Sequence, residues 1–116
     1  MSHTKTILLL LILCATAGAA GCITASFGEI TYNGSALTIR AENAHEPADA
    51  VLQVTVASVD TLVQDEVYKQ ARYVSLDRGA NEYTIPVELE PGKYRVYLQL
   101  FVGDDRRASV IRDLEV

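Results

Sequence analysis

The chain has 116 residues, a formal net charge of −5 at pH 7 and two cysteines, Cys14 and Cys22. This length suits a single domain, and an acidic chain without a basic cluster excludes nucleic acid as a partner. Because both cysteines lie within the first 22 residues, the rest of the chain offers neither a disulfide framework nor a thiolate nucleophile.

The first 22 residues follow the order of an export signal. Lys5 precedes an apolar run at 7–15, and small residues at 16–21 lead to Cys22. This segment resembles a lipoprotein signal peptide, and the resemblance implies cleavage after Gly21 and a lipid on Cys22. We therefore expect a signal peptide at 1–21, lipidated Cys22 with a short tether at 22–26, and one domain at 27–116.

A lipid on Cys22 predicts a protein anchored at the outer face of the cell membrane after export. One diacylglyceryl group brings two acyl chains, the number that stable attachment requires. The alternative is an uncleaved N-terminal helix that holds the protein in the membrane. The run at 7–23 lies at the short end of the roughly 20 apolar residues that span a bilayer. Free secretion is the remaining alternative.

From residue 27 onward, apolar side chains recur with a period of two, which is typical of half-buried β-strands. The alternation predicts strands at 27–32, 37–42, 50–59, 83–89, 94–102 and 108–114. Asn33-Gly34 predicts a type I′ turn, in which both residues take positive φ. We also expect turns at 77–81, at Pro91-Gly92 and at 103–105. Pro86 indicates an edge strand or a bulge, because proline donates no ladder hydrogen bond.

Residues 61–72 leave two interpretations open. Val63, Val67, Ala71 and Val74 fit a helical spacing, and no glycine or proline interrupts it. The β-branched and aromatic content favours a strand to about Tyr68 and another at 73–76. The seven or eight strands that result, with turn signals at short intervals, predict an all-β antiparallel β-sandwich.

Residues 90–98 (EPGKYRVYL) resemble the approach to the sixth strand of immunoglobulin-like and fibronectin type III-like domains. The resemblance implies an Ig-like or fibronectin III-like sandwich in which Tyr94 forms a tyrosine corner, its hydroxyl bonding to backbone a few residues upstream. Residues 43–60 and 100–107 resemble segments of Ig-like and cell-adhesion-related domains in archaeal and bacterial surface proteins, some of them of unknown function. The chain lacks the Cys pair and the Trp of antibody-type domains.

Few residues suggest a chemical site. His45 lies near Glu42, Glu46 and Asp49, but a zinc site normally needs several nitrogen or sulfur ligands. The acidic pairs at 65–66 and 104–105 lack the alternating ligands of a calcium loop. The chain also lacks a nucleophile elbow and a phosphate loop. We therefore expect no metal, no cofactor and no catalysis. Asn33 heads an Asn-Gly-Ser sequon and is a candidate glycan acceptor in an exported protein.

The expected function is binding. If Tyr94 faces the core, Arg95, Tyr97 and Phe101 lie on the opposite face of the same strand, and aromatic residues beside arginine are enriched at interfaces. The alternative is that a loop or helix, such as 61–72, covers these rings. We expect a non-catalytic binding or adhesion module with a protein or envelope partner. An accessory structural subunit of an envelope or membrane complex, and a small-ligand or metal carrier, are the alternatives.

Overall fold

The computed structural model describes residues 25–116; the predicted signal peptide, the lipidation at Cys22 and the alternative anchor helix lie outside the described residues. The described part is all β, which confirms the predicted class. Its seven strands are β1 Ala25–Tyr32, β2 Ala36–Asn43, β3 Ala48–Ser58, β4 Asp65–Leu76, β5 Gly79–Pro86, β6 Lys93–Val102 and β7 Asp105–Glu115. Within residues 25–116, no helix has the length and hydropathy that a bilayer crossing requires.

The strands form two antiparallel sheets that pack as a sandwich. The smaller sheet has the order β1-β2-β5, and the larger has the order β4-β3-β6-β7. Every neighbouring pair is antiparallel. The consecutive pairs β1–β2, β3–β4 and β6–β7 are joined by loops too short for the crossover that parallel pairing needs. β3 and β6 therefore form the centre of the larger sheet, and β4 and β7 form its edges.

The core lies between the two inner faces and follows the period of two. Every second residue of β3 and β6 points inward, and β2 and β5 supply the facing side chains. Nine of these side chains are fully buried: Leu37, Ile39, Leu52, Val54, Val56, Ile85, Val96, Leu98 and Leu100. Their neighbours Gln53 and Thr55 point to the other face and are more exposed. The alternation in the sequence thus located the core correctly.

The first hairpin differs from the prediction. A type I′ turn needs positive φ at two residues, but within residues 25–116 positive φ is confined to glycine, with Gly34 at 96°. The Asn33 Oδ1 atom accepts hydrogen bonds from the backbone N–H groups of Ser35 and Ala36 at 2.9 and 2.8 Å. Asn33 therefore turns the chain with its side chain, and the prediction of a type I′ turn is wrong.

The stretch at 61–72, which the sequence left open, is a loop to Gln64 and belongs to strand β4 from Asp65 onward. β4 is one continuous element of 12 residues where two shorter strands were predicted, and the helical interpretation is wrong. β4 pairs with β3 along its length, with one bulge between Tyr68 and Glu66. β5 begins at Gly79, inside the predicted turn, and ends at Pro86 on the edge of the smaller sheet, where a missing N–H breaks no ladder.

Two buried asparagines hold the loops at the end of the sandwich where β1 begins. Asn43 donates from Nδ2 to the carbonyls of His45 and Glu46, both at 3.2 Å. Asn81 donates to the carbonyl of Asp77 at 2.8 Å and accepts from the N–H of the same residue at 2.8 Å. These bonds satisfy backbone groups that have no ladder partner, which explains why polar side chains are buried there.

The facing of β3 gives the first prediction. Val54→Asp places an unpaired charge in the core and should cost several kcal/mol, a large part of the roughly 5–15 kcal/mol that stabilises a typical domain. Gln53→Asp, one residue away on the exposed face, should change the free energy of unfolding by less than about 0.5 kcal/mol. Urea denaturation followed by circular dichroism measures both. Equal losses in the two variants would contradict the assigned facing.

Candidate binding face

Tyr94 shows which face of β6 points to the core. Its side chain is 7% exposed, and its hydroxyl donates a hydrogen bond of 2.6 Å to the carbonyl of Glu90, four residues upstream. This is the geometry of a tyrosine corner. Burial raises the pKa of the Tyr94 hydroxyl above its ordinary value of 10.0, and the nearby carboxylate of Glu90 raises it further. The hydroxyl therefore stays protonated and able to donate at neutral pH.

The turn before Tyr94 is closed around Asp60. The Asp60 carboxylate accepts a hydrogen bond from the backbone N–H of Lys93, with N–O distances of 3.1 and 3.2 Å. A Cβ atom on Gly92 would collide with that carboxylate, so only glycine allows this close approach. Gly92 also exchanges two backbone hydrogen bonds with Val116, both at 2.9 Å. These contacts join the start of β6 to the end of β7.

With Tyr94 inward, the alternate residues of β6 point to the solvent side of the larger sheet, here called the outer face. Arg95, Tyr97, Gln99 and Phe101 all lie there, and all are half-buried. Neighbouring strands flank them, but within residues 25–116 no strand stacks on this face, because the two sheets pack through their other sides. Of the candidate cover at 61–72, residues 65–72 belong to β4 at the edge of the same sheet, and Gln64 of the preceding loop contacts the Tyr97 hydroxyl.

Tyr97 lies near one end of the outer face. Its register partners are Thr55 on β3 and Ile111 on β7, and the side chain of Ile111 is 57% exposed. The side-chain amide of Gln64 approaches the Tyr97 hydroxyl, with Nε2 at 2.8 Å and Oε1 at 3.1 Å. The ring is therefore held in place at the surface while its edge stays in contact with solvent.

Phe101 lies in a second cross-strand row. It pairs with Val51 on β3, and Val51 pairs with Tyr73 on β4, whose side chain is 89% exposed. The row thus carries two aromatic rings separated by one aliphatic side chain. Gln53 and Gln99 pair with each other between this row and that of Tyr97, so the centre of the outer face is uncharged.

Arg95 forms an ion pair at one edge of this surface. Its Nε atom donates to the Asp113 carboxylate on β7 at 3.3 Å, and both side chains are well exposed. The hydrogen bond to Asp113 holds the pKa of the Arg95 guanidinium above its ordinary value. Such an exposed pair contributes little to stability.

The remaining predicted sites are scattered. Asn33 is exposed at the tip of the first hairpin, where its side-chain oxygen holds the turn. His45 lies in the loop between β2 and β3, and Asp104 and Asp105 lie at the β6–β7 turn. Among the residues that the structure describes, no three His, Cys, Asp or Glu side chains come close enough to hold a metal ion. Cys22 lies outside the described residues.

Three members of the outer face escaped the sequence reasoning: Gln64, Tyr73 and Ile111. Each comes from a strand or loop whose own pattern gives no sign that it meets β6. For Tyr73 on β4 and Ile111 on β7, the only signal in the sequence is a large apolar side chain at a position where the alternation predicts exposure. Single residues of this kind occur on most protein surfaces. The β6–β7 register places Ile111 beside Tyr97, and the β3 registers place Tyr73 in the row of Phe101 with Val51 between them. Gln64 reaches Tyr97 by a side-chain hydrogen bond from the loop before β4.

Comparison with known proteins supports the fold alone. No family model matches the chain, and no curated protein matches it. A solved structure described as a "putative beta-galactosidase" from Bacteroides fragilis has a TM-score of 0.53 and 18% identity over 82% of this chain. A beta-glucosidase from Kluyveromyces marxianus has a TM-score of 0.49 and 17% identity over 79% of it. The chain spans 16% and 13% of those two chains, respectively.

The tyrosine corner gives the second prediction. Tyr94→Phe keeps the ring but leaves the Glu90 carbonyl without its donor, so we expect a loss of about 1–2 kcal/mol in the free energy of unfolding. Tyr97→Phe removes only the exposed bond to Gln64 and should cost less than about 0.5 kcal/mol. Chemical denaturation at pH 7 provides both values, and a larger cost at Tyr97 would contradict the assigned facing of β6.

The pH dependence of the free energy of unfolding, compared between wild type and Tyr94→Phe, provides a control. Because the pKa of Tyr94 is raised in the folded state, its contribution to stability is complete below the ordinary tyrosine pKa of 10.0 and declines as the pH rises through the folded value. Phenylalanine has no such ionisation. The stability difference between wild type and Tyr94→Phe should therefore shrink above pH 10.

Proposed function

We propose that the chain is a non-catalytic binding module that holds a protein partner against the outer face of its larger sheet. The observation that carries the proposal is the position of Tyr97 and Phe101. Both rings lie on the side of β6 opposite to the core, and Tyr73 and Ile111 extend the apolar surface beside them. Large aromatic side chains that remain at a surface are the usual anchors of protein interfaces.

The composition of the outer face favours a protein partner. Its centre is apolar and amide-bearing, and its charged side chains lie on or beside the edge strands: Arg95 with Asp113, Arg106 opposite Phe101, and Lys69 in the row of Tyr97. An apolar centre with a polar rim is the usual anatomy of a protein–protein interface. Tyr97 is held by Gln64 before any partner arrives, which reduces the entropy that binding has to offset.

The finer fold assignment belongs to the same proposal. The fourth strand pairs with the third in the larger sheet, whereas the constant-type immunoglobulin arrangement places it beside the first, second and fifth. This strand order favours a fibronectin type III-like domain over a constant-type immunoglobulin domain. In the Bacteroides fragilis protein a similar fold occupies 16% of the chain, a share that suits one module of a larger protein.

We further propose that the module is exported and held at the outer face of the membrane through a lipid on Cys22. Small residues followed by Cys22 support this proposal. β1 begins at Ala25, only three residues after that cysteine. Three extended residues reach about 10 Å, so the domain would sit close to the membrane. An accessory subunit of a membrane or envelope complex is the second candidate, because such a short tether suits fixed contact with a neighbouring membrane protein.

The anchor has its own test, which is the third prediction. Cys22→Ser removes the thiol that would accept the lipid, so the variant should lose the lipid and either accumulate as an unprocessed precursor or appear in the medium. Intact-mass spectrometry of membrane and medium fractions makes the measurement. An unmodified Cys22 in the processed wild-type protein would refute the lipid anchor without affecting the outer face.

The outer face gives the fourth prediction. Tyr97→Ala combined with Phe101→Ala should weaken association with a protein captured from detergent-solubilised membranes by about tenfold or more, since interface anchors often contribute about 2 kcal/mol or more each. The control is Arg40→Ala combined with Glu82→Ala, which removes an exposed ion pair from the smaller sheet and leaves the outer face intact.

Thermal unfolding of the double variant decides what a loss of binding means. A folded double variant that has lost the partner supports the outer face. A double variant that unfolds assigns the two rings to stability, and one that folds and retains its partner places the binding site elsewhere, with the loop at 43–49 as the next candidate. Co-purification with an integral membrane complex, rather than with a separate ligand protein, would favour the accessory-subunit function.

A further inference from the structure

The longest strand of the domain has an unpaired edge. β4 runs for 12 residues from Asp65 to Leu76, pairs with β3 on one side and forms the end of the larger sheet on the other. Within residues 25–116, β4 makes no backbone–backbone hydrogen bond apart from its pairing with β3. An edge of this length presents a row of free N–H and C=O groups to any other strand.

Only the last part of this edge is closed. The Tyr83 hydroxyl of β5 donates to the carbonyl of Ser75 at 2.8 Å. In return, Arg72 Nη1 of β4 donates to the carbonyl of Thr84 on β5 at 2.9 Å. These two bonds cover the gap between the sheets near the β4–β5 turn. Residues 67–73, here called the open edge, contribute no backbone group to these two bonds, since Arg72 takes part only through its side chain.

The direction of the free backbone groups follows from the Ser75 carbonyl. It points away from β3, toward Tyr83, and successive residues of a strand alternate in the direction of their hydrogen-bonding groups. Tyr73, Ala71 and Lys69 therefore also direct their N–H and C=O groups outward. Gln70 and Arg72 direct theirs to β3. The open edge thus offers several correctly spaced donor and acceptor groups to an incoming strand.

The exposed large apolar side chains of the described part of the chain concentrate on the open edge and in the loop before β4. Of the five large hydrophobic residues exposed in the described part of the chain, four lie between Leu62 and Tyr73, and the fifth is Ile111. Val67 is 47% exposed and Tyr73 is 89% exposed, one at each end of the open edge. An unpaired edge and exposed apolar side chains are two independent features, and they coincide here.

We propose that the open edge pairs with the open edge of a second copy of this chain, antiparallel and about a two-fold axis at Gln70. This register places Val67 of each copy beside Tyr73 of the other and Lys69 beside Ala71. The two larger sheets would then form one continuous sheet of eight strands. The interface is isologous, as two-fold symmetry requires, because each copy supplies the same residues.

The charges of β4 favour a second copy as the occupant. β4 begins with the acidic Asp65 and Glu66 and carries the basic Lys69 and Arg72 further on. An antiparallel two-fold arrangement brings the acidic start of one strand toward the basic half of the other. A register centred on Lys69 instead would oppose two lysines, and like charges that lie directly opposite each other are destabilising. The axis at Gln70 opposes no like charges.

Site-specific cross-linking tests the proposal on the full chain with Cys14 and Cys22 replaced by alanine. In a non-hydrogen-bonded antiparallel pair the facing Cα atoms are about 4.5 Å apart, within the range that a disulfide bridges. Gln70→Cys should therefore form a disulfide-linked dimer under mild oxidation, which non-reducing electrophoresis measures. The matched control is Gln53→Cys, an equally exposed glutamine on β3, whose copies lie three strand spacings, or about 14 Å, apart in the proposed dimer.

A second substitution tests the strand pairing itself. Ala71→Pro removes an N–H that points to the open edge and leaves the ladder with β3 intact, and proline is tolerated on edge strands. Added to Gln70→Cys, it should abolish the cross-link while thermal unfolding remains cooperative. If that variant does not fold, Tyr73→Glu, which charges the apolar contact without touching the backbone, should abolish the cross-link in its place.

Three outcomes would overturn the proposal. The first is a Gln70→Cys protein that forms no more dimer than Gln53→Cys. The second is a Gln53→Cys protein that cross-links more readily, which would show that copies meet through their outer faces. The third is a cross-link at Gln70 that survives in folded proteins carrying Ala71→Pro or Tyr73→Glu, since a paired edge requires those groups.

Discussion

The burial of alternate side chains along β3 and β6 is the constraint on which the rest of the domain depends. Leu52, Val54, Leu98 and Leu100 are 0–1% exposed and fill the centre of the sandwich. Because side chains alternate strictly along a strand, moving either strand by one residue would expose this whole set. The same alternation therefore fixes every residue on the opposite face, and the outer face is a direct consequence of the core.

The tyrosine corner reinforces that constraint at the start of β6. The bond from Tyr94 to the Glu90 carbonyl, together with the contacts of Asp60 and Gly92, ties the entry of the strand to the preceding turn. β6 therefore begins in one register, and Arg95, Tyr97 and Phe101 follow from it. A structural bond on the inner side thus determines which rings a partner meets on the outer side.

The two proposed surfaces use different chemistry of the same sheet. The centre of the outer face offers side chains alone, because the backbone groups of β3 and β6 are paired in ladders on both sides. The open edge of β4 offers backbone groups as well, because one side of that strand has no neighbour. A partner on the outer face would be selected by shape and apolar contact. A strand on the open edge would gain backbone hydrogen bonds whatever its sequence, so its selection would depend on charge and on the Val67–Tyr73 contact. Tyr73 contributes to both surfaces.

The amino-acid sequence by itself determined the class of fold, the positions of most strands and the two faces of β6, because these follow from a period of two and from local turn residues. It placed Tyr94 and Tyr97 on opposite faces for the same reason, and the inward position of Tyr94 was an expectation from the resemblance at residues 90–98. The continuity of β4 was not visible, since apolar residues at 63, 67, 71 and 74 fit a helix as well as a strand, and only pairing with β3 decides between them. The first turn was also mispredicted, because the side chain of Asn33 competes for the backbone bonds. Tertiary structure decided three further features: the strand order, the contacts of Gln64 and Ile111 with Tyr97, and the unpaired edge of β4. All three depend on which strands become neighbours.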